Sequence, residues 1–206
     1  LAKQKGYEVF LSDKNIIPFK LQSLLDEREI TWESGQHSLA PMEGASIAIK
    51  SPGIPGDIPL LKGLRGNGTR ILSEIEFAAQ STSATLIGIT GTNGKTTTTM
   101  MTYEILKNSG FHVGLAGNIG SSFAKQVAEE DFDYYILEIS SFQLDDIDQF
   151  SPHIAVITNI TSDHLDRYGY NFESYIQAKL KITKNQSSNN FFLFNSDDEL
   201  LVKSVS

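Results

Sequence analysis

The residues whose types and spacing most clearly indicate chemistry lie in the stretch GITGTNGKTTTT, residues 88–99. A glycine-rich turn between a strand and a helix can hold phosphate oxygens, because backbone N–H groups and the positive helix end converge there. Lys95 can neutralise the β and γ phosphates, and Thr96 can offer a hydroxyl to Mg²⁺. The strict phosphate-loop pattern requires a glycine where Ile89 stands. A structural turn is therefore the alternative, although the order of strand, loop and helix favours nucleotide binding.

Two other predicted strand ends carry polar residues of the kind that nucleotide chemistry uses. Glu138 closes the apolar run YYILE, where a carboxylate beside a phosphate loop can hold Mg²⁺. The run IAVITNI is followed by Asp163, His164, Asp166 and Arg167. Taken singly, a solvated glutamate and a structural histidine are the simpler interpretations. Their position at the same type of strand end as the loop favours a functional role.

Alternating strands and helices must position these residues. The sequence predicts strands at 7–13, 45–50, 70–73, 85–90, 112–117, 134–140, 154–160 and 191–195. It predicts helices at 19–29 and 95–110, near 121–130 and at 172–184, with a short one after the turn that begins at residue 51. Apolar strands alternating with helices indicate an α/β fold whose parallel sheet binds ligands at the carboxyl ends of its strands. The polar link STSAT marks the predicted boundary between domains 1–81 and 82–206.

The composition excludes several classes of function. The net charge is −8, so nucleic acid is not an expected partner, because its phosphates require clustered lysine and arginine. The chain has no cysteine, which rules out disulfides and thiolate metal ligands and fits a cytoplasmic setting. No apolar run approaches membrane-spanning length. We therefore expect a cytoplasmic protein that does not associate with membranes. We also expect a monomer, although composition does not give the oligomeric state.

Five motifs occur in an order and spacing that resemble the Mur ligases of bacterial cell-wall synthesis. They are GTNGKTTT, GNIG, LEISSFQL, NITSDHLDRY and YIQAK. The phosphate loop of that family reads Gly-Thr-Asn/Asp-Gly-Lys-Thr/Ser, so Gly91 and Gly94 frame the loop and Ile89 is normal. The resemblance implies a Rossmann-like, parallel-sheet N-terminal domain followed by a P-loop-type ATPase central domain. LEISSFQL with DHLDRY, together with SPGIP and SEIEF, most resembles the branch that adds D-glutamate to UDP-N-acetylmuramoyl-L-alanine.

The resemblance implies a chemical role for each motif residue. ATP would phosphorylate the substrate carboxylate, and the amine of D-glutamate would attack the acyl phosphate to form an amide. Two Mg²⁺ ions are implied, one held by Thr96 and Glu138 and one by His164 with a carbamylated Lys179. Lys95, His164 and Lys179 would be the catalytic residues. The residues that would hold ATP are Gly91, Thr92, Asn93, Gly94, Lys95, Thr96 and Thr97. The role of Lys179 rests on resemblance alone, because helix lysines are usually solvated.

The resemblance also implies where the UDP-linked substrate binds. Its muramoyl part would lie near Asn118, Ser140 and Gln143. Its UDP part would be held by Asp13 and by the turn Ser51, Pro52 and Gly53, and a glycine turn at a strand end suits a pyrophosphate. By this resemblance, we expect the start of the family's first domain, the end of its central domain and its whole third domain to lie outside this chain. We therefore expect a fragment that is inactive by itself.

Three other functions stay open. Another ligase of the superfamily, such as folylpolyglutamate synthase or a Mur ligase for a different amino acid, would share the loop, although SSFQL and DHLDRY argue against it. A P-loop nucleotide switch would usually carry an aspartate where Glu138 stands. A module that binds nucleotide and catalyses nothing is the third, and the presence of Glu138, His164 and Lys179 argues against it for the parent protein.

Overall fold

The structure is a computed structural model that describes residues 1–163 and 165–205. The strands are β1 (Phe10–Asp13), β2 (Thr31–Ser34), β3 (Ile47–Lys50), β4 (Arg70–Ser73), β5 (Thr85–Thr90), β6 (Val113–Gly117), β7 (Tyr134–Glu138), β8 (Ile154–Ile157) and β9 (Phe191–Phe194). The α-helices are α1 (Phe19–Glu27), α2 (Pro59–Gly66), α3 (Glu74–Ala79), α4 (Lys95–Asn108), α5 (Phe123–Glu129), α6 (Ser141–Asp145), α7 (Phe172–Leu180) and α8 (Glu199–Val205). Short 3-10 turns occur at Ala40–Met42, Leu165–Tyr168 and Lys181–Thr183.

Five of the strands form one parallel sheet in the order β6-β7-β5-β8-β9. Its centre is apolar: Ile87 and Ile89 of β5 pack with Val113 and Ile136, and side chains of α4 cover them. Continuous apolar strands of this kind are buried because helices pack against the sheet. The prediction of an α/β protein with a parallel sheet is confirmed.

The strand order decides which loops are neighbours. β5 lies between β7 and β8, with Ile89 opposite Glu138 on one side and Val156 on the other. In a parallel sheet the carboxyl ends of adjacent strands lie at one edge. The segments that follow these three strands therefore start side by side, although they are far apart in the sequence.

The chain divides into two compact units. The first comprises Leu1–Ile49 with Ile54–Ile71, and the second comprises Lys50–Gly53 with Leu72–Ser206. Within the first unit, β1 and β2 pair in parallel. β3 and β4 form a separate two-stranded pair, and the last residues of both strands are assigned to the second unit. The division into domains at 81/82 and the Rossmann-like form of the first domain stay predictions.

Several strands are shorter in the structure than the sequence predicts. The strand predicted at 134–140 ends at Glu138, because Ser140 caps α6 with its side chain. The strand predicted at 154–160 ends at Ile157, and the strand predicted at 7–13 begins only at Phe10. β2, α3, α6 and α8 were not predicted, because each is short and lacks a long periodic pattern.

Glu76 is a buried carboxylate that fixes the chain between α6 and β8. Its side chain is 0% exposed, and its two oxygens accept the backbone N–H groups of Asp148, Gln149 and Phe150 at 2.8–3.1 Å. A buried carboxylate is tolerated only when its oxygens are satisfied in this way. Glu76 therefore ties α3 to the segment that leads into the central sheet.

We expect Glu76→Ala to lower the free energy of unfolding by about 3 kcal/mol, because three backbone N–H groups lose their acceptor and that of Phe150 is buried. Urea denaturation measures the change. Glu104→Ala on α4 is the matched control, since Glu104 is exposed and its loss should change the free energy by less than about 0.5 kcal/mol. Equal effects of the two substitutions would contradict the role of Glu76.

Candidate nucleotide-binding site

The loop at residues 91–94 carries β5 into α4 through two glycines with positive φ. Gly91 has φ +145° and Gly94 has φ +79°. A Cβ on Gly91 would lie 2.0 Å from the Oγ1 of Thr158, so a larger residue cannot occupy that position without displacing the neighbouring segment. Gly94 is the N-cap of α4, and its carbonyl accepts the N–H of Thr98 at 3.0 Å. The N–H groups of the first helical turn point out of the helix end, where an anion can bind.

Asn159, which follows β8, holds this loop in shape. Its backbone carbonyl accepts the N–H of Thr92 at 2.9 Å, and its side-chain oxygen accepts the N–H of Asn93 at 2.9 Å. The carbonyl of Asn93 accepts in return from the side chains of Asn159 at 2.9 Å and Thr158 at 2.6 Å. Neither Thr158 nor Asn159 was predicted to be a site residue, although Asn159 is the first residue of the motif NITSDHLDRY.

The hydroxyl of Thr92 is saturated by contacts within the protein. It donates to the carbonyl of Thr161 at 3.1 Å, accepts the N–H of Thr161 at 3.0 Å and lies 3.1 Å from the hydroxyl of Tyr175. Burial raises the pKa of Tyr175, so its phenol keeps its proton and can donate. A threonine hydroxyl has one donor and two acceptor positions. The side chain of Thr92 therefore fastens the loop to the segment after β8 and to α7.

Glu138 joins the loop to the ends of β6 and β7. The residue is 1% exposed; one carboxylate oxygen accepts the hydroxyl of Thr96 at 2.7 Å, and the other accepts the side-chain N–H of Asn118 at 2.8 Å. A hydroxyl beside a carboxylate is an oxygen donor set that suits Mg²⁺, which commonly takes one or two carboxylates and completes its shell with phosphates and water. Among the described residues, no three His, Asp or Glu side chains cluster as an all-protein metal site.

Lys179 of α7 is buried beneath the loop. It is 2% exposed, its Nζ donates to the carbonyl of Gly91 at 2.7 Å, and it lies 4.6 Å from the ring centroid of Tyr175. Burial and then the positive charge of Lys95 lower the pKa of Lys179 to about 7, while Asp163 acts in the opposite direction. A large fraction of its amine is therefore neutral, and nucleophilic, near pH 7.

Lys95 is the first residue of α4, and its side chain folds back onto the loop. Its Nζ donates to the carbonyl of Thr92 at 2.8 Å, so the ammonium group is on the side of the loop rather than directed along α4. The structure thus brings the loop residues 91–97 together with Glu138, Asn118 and Lys179. His164 lies outside the described residues.

The remaining predicted site residues have local partners. Ser140 and Gln143 form a capping box at the start of α6, in which the Gln143 side-chain oxygen accepts the Ser140 N–H at 2.9 Å. The carbonyls of Pro52 and Gly53 accept from Arg167. Asp13, in the first unit, accepts the N–H of Asn15 at 2.8 Å. Whether these residues bind a substrate stays a prediction.

Comparison with known proteins gives a family match and close relatives. Residues 89–205 match the model of the Mur ligase middle domain. The UDP-N-acetylmuramoylalanine–D-glutamate ligase of Bacteroides fragilis is 52% identical over 100% of this chain, and that of Bacteroides thetaiotaomicron is 53% identical over 98%. The chain covers 46% and 45% of these proteins, so it spans about half the length of the curated relatives it matches.

Solved structures resemble the chain in fold. A UDP-N-acetylmuramate:L-alanyl-γ-D-glutamyl-meso-diaminopimelate ligase from Neisseria meningitidis is similar over 100% of this chain and 68% of its own, with TM-score 0.64 and 18% identity. The UDP-N-acetylmuramate–alanine ligase of Thermotoga maritima is similar over 98% of this chain and 46% of its own, with TM-score 0.56 and 24% identity. The MurF ligase of Thermotoga maritima, solved with ADP, is similar over 77% and 44%, with TM-score 0.51 and 23% identity.

We expect Gly91→Ala to weaken binding of a nucleoside triphosphate by at least about tenfold, because the added methyl group displaces Thr158 and the segment that shapes the loop. Gly94→Ala is the matched control: its φ is also positive, but a Cβ there meets nothing within 4 Å. In a titration with a fluorescent nucleotide analogue, Gly94→Ala should lose less affinity than Gly91→Ala. A larger loss from Gly94→Ala would contradict the steric argument.

Proposed function

This chain belongs to the Mur ligase family, and on that premise we propose that its parent protein joins D-glutamate to UDP-N-acetylmuramoyl-L-alanine with ATP, in peptidoglycan synthesis. The relatives that are 52% and 53% identical carry the name of that ligase. The observation that carries the proposal is one connected network, in which Thr96 contacts Glu138 at 2.7 Å and Lys179 contacts Gly91 at 2.7 Å. The network brings the loop residues 91–97 into contact with the Glu138 carboxylate and the Lys179 amine.

ATP is the nucleotide that we propose for the loop. Lys95 and the N–H groups at the start of α4 would hold the β and γ phosphates, and the loop residues Gly91, Thr92, Asn93, Gly94, Thr96 and Thr97 would shape that cradle. A cation and aligned N–H groups stabilise the charge that spreads over the transferred phosphoryl group. Since Asn159 and Tyr175 already fix the loop, little reorganisation is needed when the nucleotide binds.

The proposed reaction converts a carboxylate into an amide in two steps. A carboxylate oxygen of UDP-N-acetylmuramoyl-L-alanine attacks the γ-phosphorus, the bond to the β-phosphate oxygen breaks, and ADP leaves. The amine of D-glutamate then attacks the acyl carbon, loses a proton, and the tetrahedral intermediate expels inorganic phosphate. Phosphorylation is needed because oxide is a poor leaving group and phosphate is a good one.

Mg²⁺ fits the oxygen donors at the end of β7, and Thr96 with Glu138 would hold one ion there. We propose His164 and Lys179 as ligands of a second ion. When bound, such ions offset the repulsion between the carboxylate and the triphosphate. The two residues of the first site already lie in contact, so binding there requires no rearrangement of β7 or α4.

We propose that Lys179 is carbamylated. The neutral amine attacks CO₂, an N–C bond forms and one proton leaves, so that a group carrying a negative charge replaces an ammonium. The lowered pKa of Lys179, about 7, supplies the neutral amine. The positive charge of Lys95 disfavours the protonated form of Lys179. The same charge would attract the negatively charged carbamate.

The proposal also covers the residues that contact the UDP-linked substrate, the cellular location and the oligomeric state. The muramoyl part of the substrate would contact Asn118, Ser140 and Gln143, and its UDP part would contact Asp13 and the turn 51–53. We further propose a cytoplasmic monomer with the domains 1–81 and 82–206. In the part of the chain that the structure describes, no helix has the length and apolar character to cross a membrane.

Phosphate release by the full-length protein tests the ligase activity. With ATP, Mg²⁺ and UDP-N-acetylmuramoyl-L-alanine, we expect release only when D-glutamate is present. Lys95→Ala should lower kcat/KM at least about a hundredfold, because the charge that develops on the phosphates loses its cation. Lys107→Ala, an exposed lysine that contacts Tyr103 on the same helix, should leave the rate unchanged. Release that ignores every amino acid would favour a nucleotide switch, and preference for another amino acid would favour another ligase.

Removal of CO₂ tests the carbamate. We expect activity to fall in CO₂-free buffer and to recover at a fixed concentration of dissolved CO₂, faster at about pH 8 than at about pH 6. The sign follows because the neutral amine fraction rises as the pH passes the Lys179 pKa of about 7. Lys179→Arg should abolish the response and Lys181→Arg, at a partly exposed lysine of the same segment, should retain it. Activity independent of CO₂ at both pH values would exclude the carbamate.

A further inference from the structure

The turn Ser51-Pro52-Gly53 is held from two sides by charged side chains that have no role in the reaction proposed above. Lys50, which is 6% exposed, forms an ion pair with Asp146 at 2.9 Å next to the turn. The guanidinium of Arg167 donates from Nη2 to the carbonyl of Pro52 at 3.1 Å and from Nη1 to the carbonyl of Gly53 at 3.2 Å. All of these residues belong to the second compact unit.

Arg167 is itself oriented by aromatic side chains. Its guanidinium lies 4.5 Å from the ring centroid of Phe142, and Phe142 stacks on Tyr168 with centroids 6.1 Å apart. A guanidinium resting on a ring keeps its N–H donors available at its edge, and its planar fork can span two acceptors, which a lysine cannot do. The fork is therefore directed at the two carbonyls by contacts that do not depend on the turn.

Holding these carbonyls sets the direction of a backbone donor. The peptide bonds of the described residues are trans, and in a planar trans peptide the C=O and N–H groups point in opposite directions. Because the carbonyl of Pro52 points at Arg167, the N–H of Gly53 points away from it. A carbonyl that accepts from a cation is also polarised, which strengthens the N–H of the same peptide as a donor to an anion.

The segment that carries Arg167 also anchors the phosphate loop. Thr161, six residues earlier in the chain, exchanges two hydrogen bonds with the hydroxyl of Thr92. Arg167 lies in the 3-10 turn Leu165–Tyr168 that follows. One short stretch of chain after β8 therefore contacts both the loop proposed for ATP and the turn proposed for the UDP part of the substrate.

We infer that Arg167 is a positioning residue that orients the Gly53 N–H toward the pyrophosphate of the UDP-linked substrate. The inference rests on the proposed function, which assigns the turn to that substrate. Arg167 acts through the two carbonyls of the turn and touches neither the acyl group nor the γ-phosphate. It thus contributes to binding of one substrate and not to the chemical step.

Steady-state kinetics of the full-length protein separate these roles. In Arg167→Ala we expect the KM for UDP-N-acetylmuramoyl-L-alanine to rise about tenfold, the factor expected for loss of hydrogen bonds to a charged group. The KM for ATP and kcat should change by less than about twofold, the pattern of lost uniform binding. Arg167→Lys should behave like Arg167→Ala, because it keeps the charge and loses the fork. Added guanidinium ion should lower the raised KM of Arg167→Ala.

Arg65→Ala is the matched control, because Arg65 is also exposed and also donates to a backbone carbonyl, that of Gly56. It should leave all three constants unchanged. Phe142→Leu removes the ring beneath the guanidinium and should raise the same KM by a smaller factor than Arg167→Ala.

The outcomes distinguish the inference from the function on which it rests. A wild-type protein that does not turn over UDP-N-acetylmuramoyl-L-alanine with D-glutamate would overturn the proposed function, and the inference with it. An active wild type whose Arg167→Ala variant has an unchanged KM for that substrate would overturn the inference alone. The inference would also be overturned if Arg167→Ala lowered kcat, or if it raised the KM for ATP as much as the KM for UDP-N-acetylmuramoyl-L-alanine. A lower melting temperature of the variant would not change that conclusion.

Discussion

No side chain fits at residue 91, and the rest of the site depends on that constraint. Because Gly91 has no Cβ, the segment after β8 can approach until the Oγ1 of Thr158 occupies the space in which a methyl group would lie. That approach lets Thr158 and Asn159 bond to Asn93. It also leaves the carbonyl of Gly91 as acceptor for Lys179. The segment after β8 and α7 therefore both contact the chain at this one backbone position.

Among the charged groups near Gly91, Lys179 has a pKa of about 7, so its charge can change near neutral pH. A protonated Lys179 is repelled by Lys95, and this repulsion adds to burial in lowering the pKa of Lys179. The carboxylate of Glu138 accepts hydrogen bonds from Thr96 and Asn118. Loss of the proton from Lys179 would remove this repulsion, and an anion bound at the loop would offset it.

Much of this arrangement follows from the sequence, and the remainder depends on contacts between distant residues. The loop between β5 and α4 and the nearness of Glu138 follow from local patterns and from the rule for parallel strand ends. The burial of Lys179 does not, since the pattern YIQAKLKI is equally compatible with a solvated lysine and only the packing of α7 decides it. The partners of Thr92 lie 69 and 83 residues away, and no periodicity relates them. The end of β7 was misplaced because Ser140 is the N-cap of α6, and no local pattern marks the end of β8 at Ile157.

The saturated hydroxyl of Thr92 has a consequence for protein engineering. Phosphate loops are often treated as portable sequence modules, to be grafted as a short insert between any strand and helix. This one takes its shape from Asn159, Thr161 and Tyr175 as well as from its own glycines. A graft of residues 88–99 alone would carry a threonine whose hydrogen bonds have no partners in the new scaffold. The transferable unit is the loop together with the start of the segment after β8 and one face of α7.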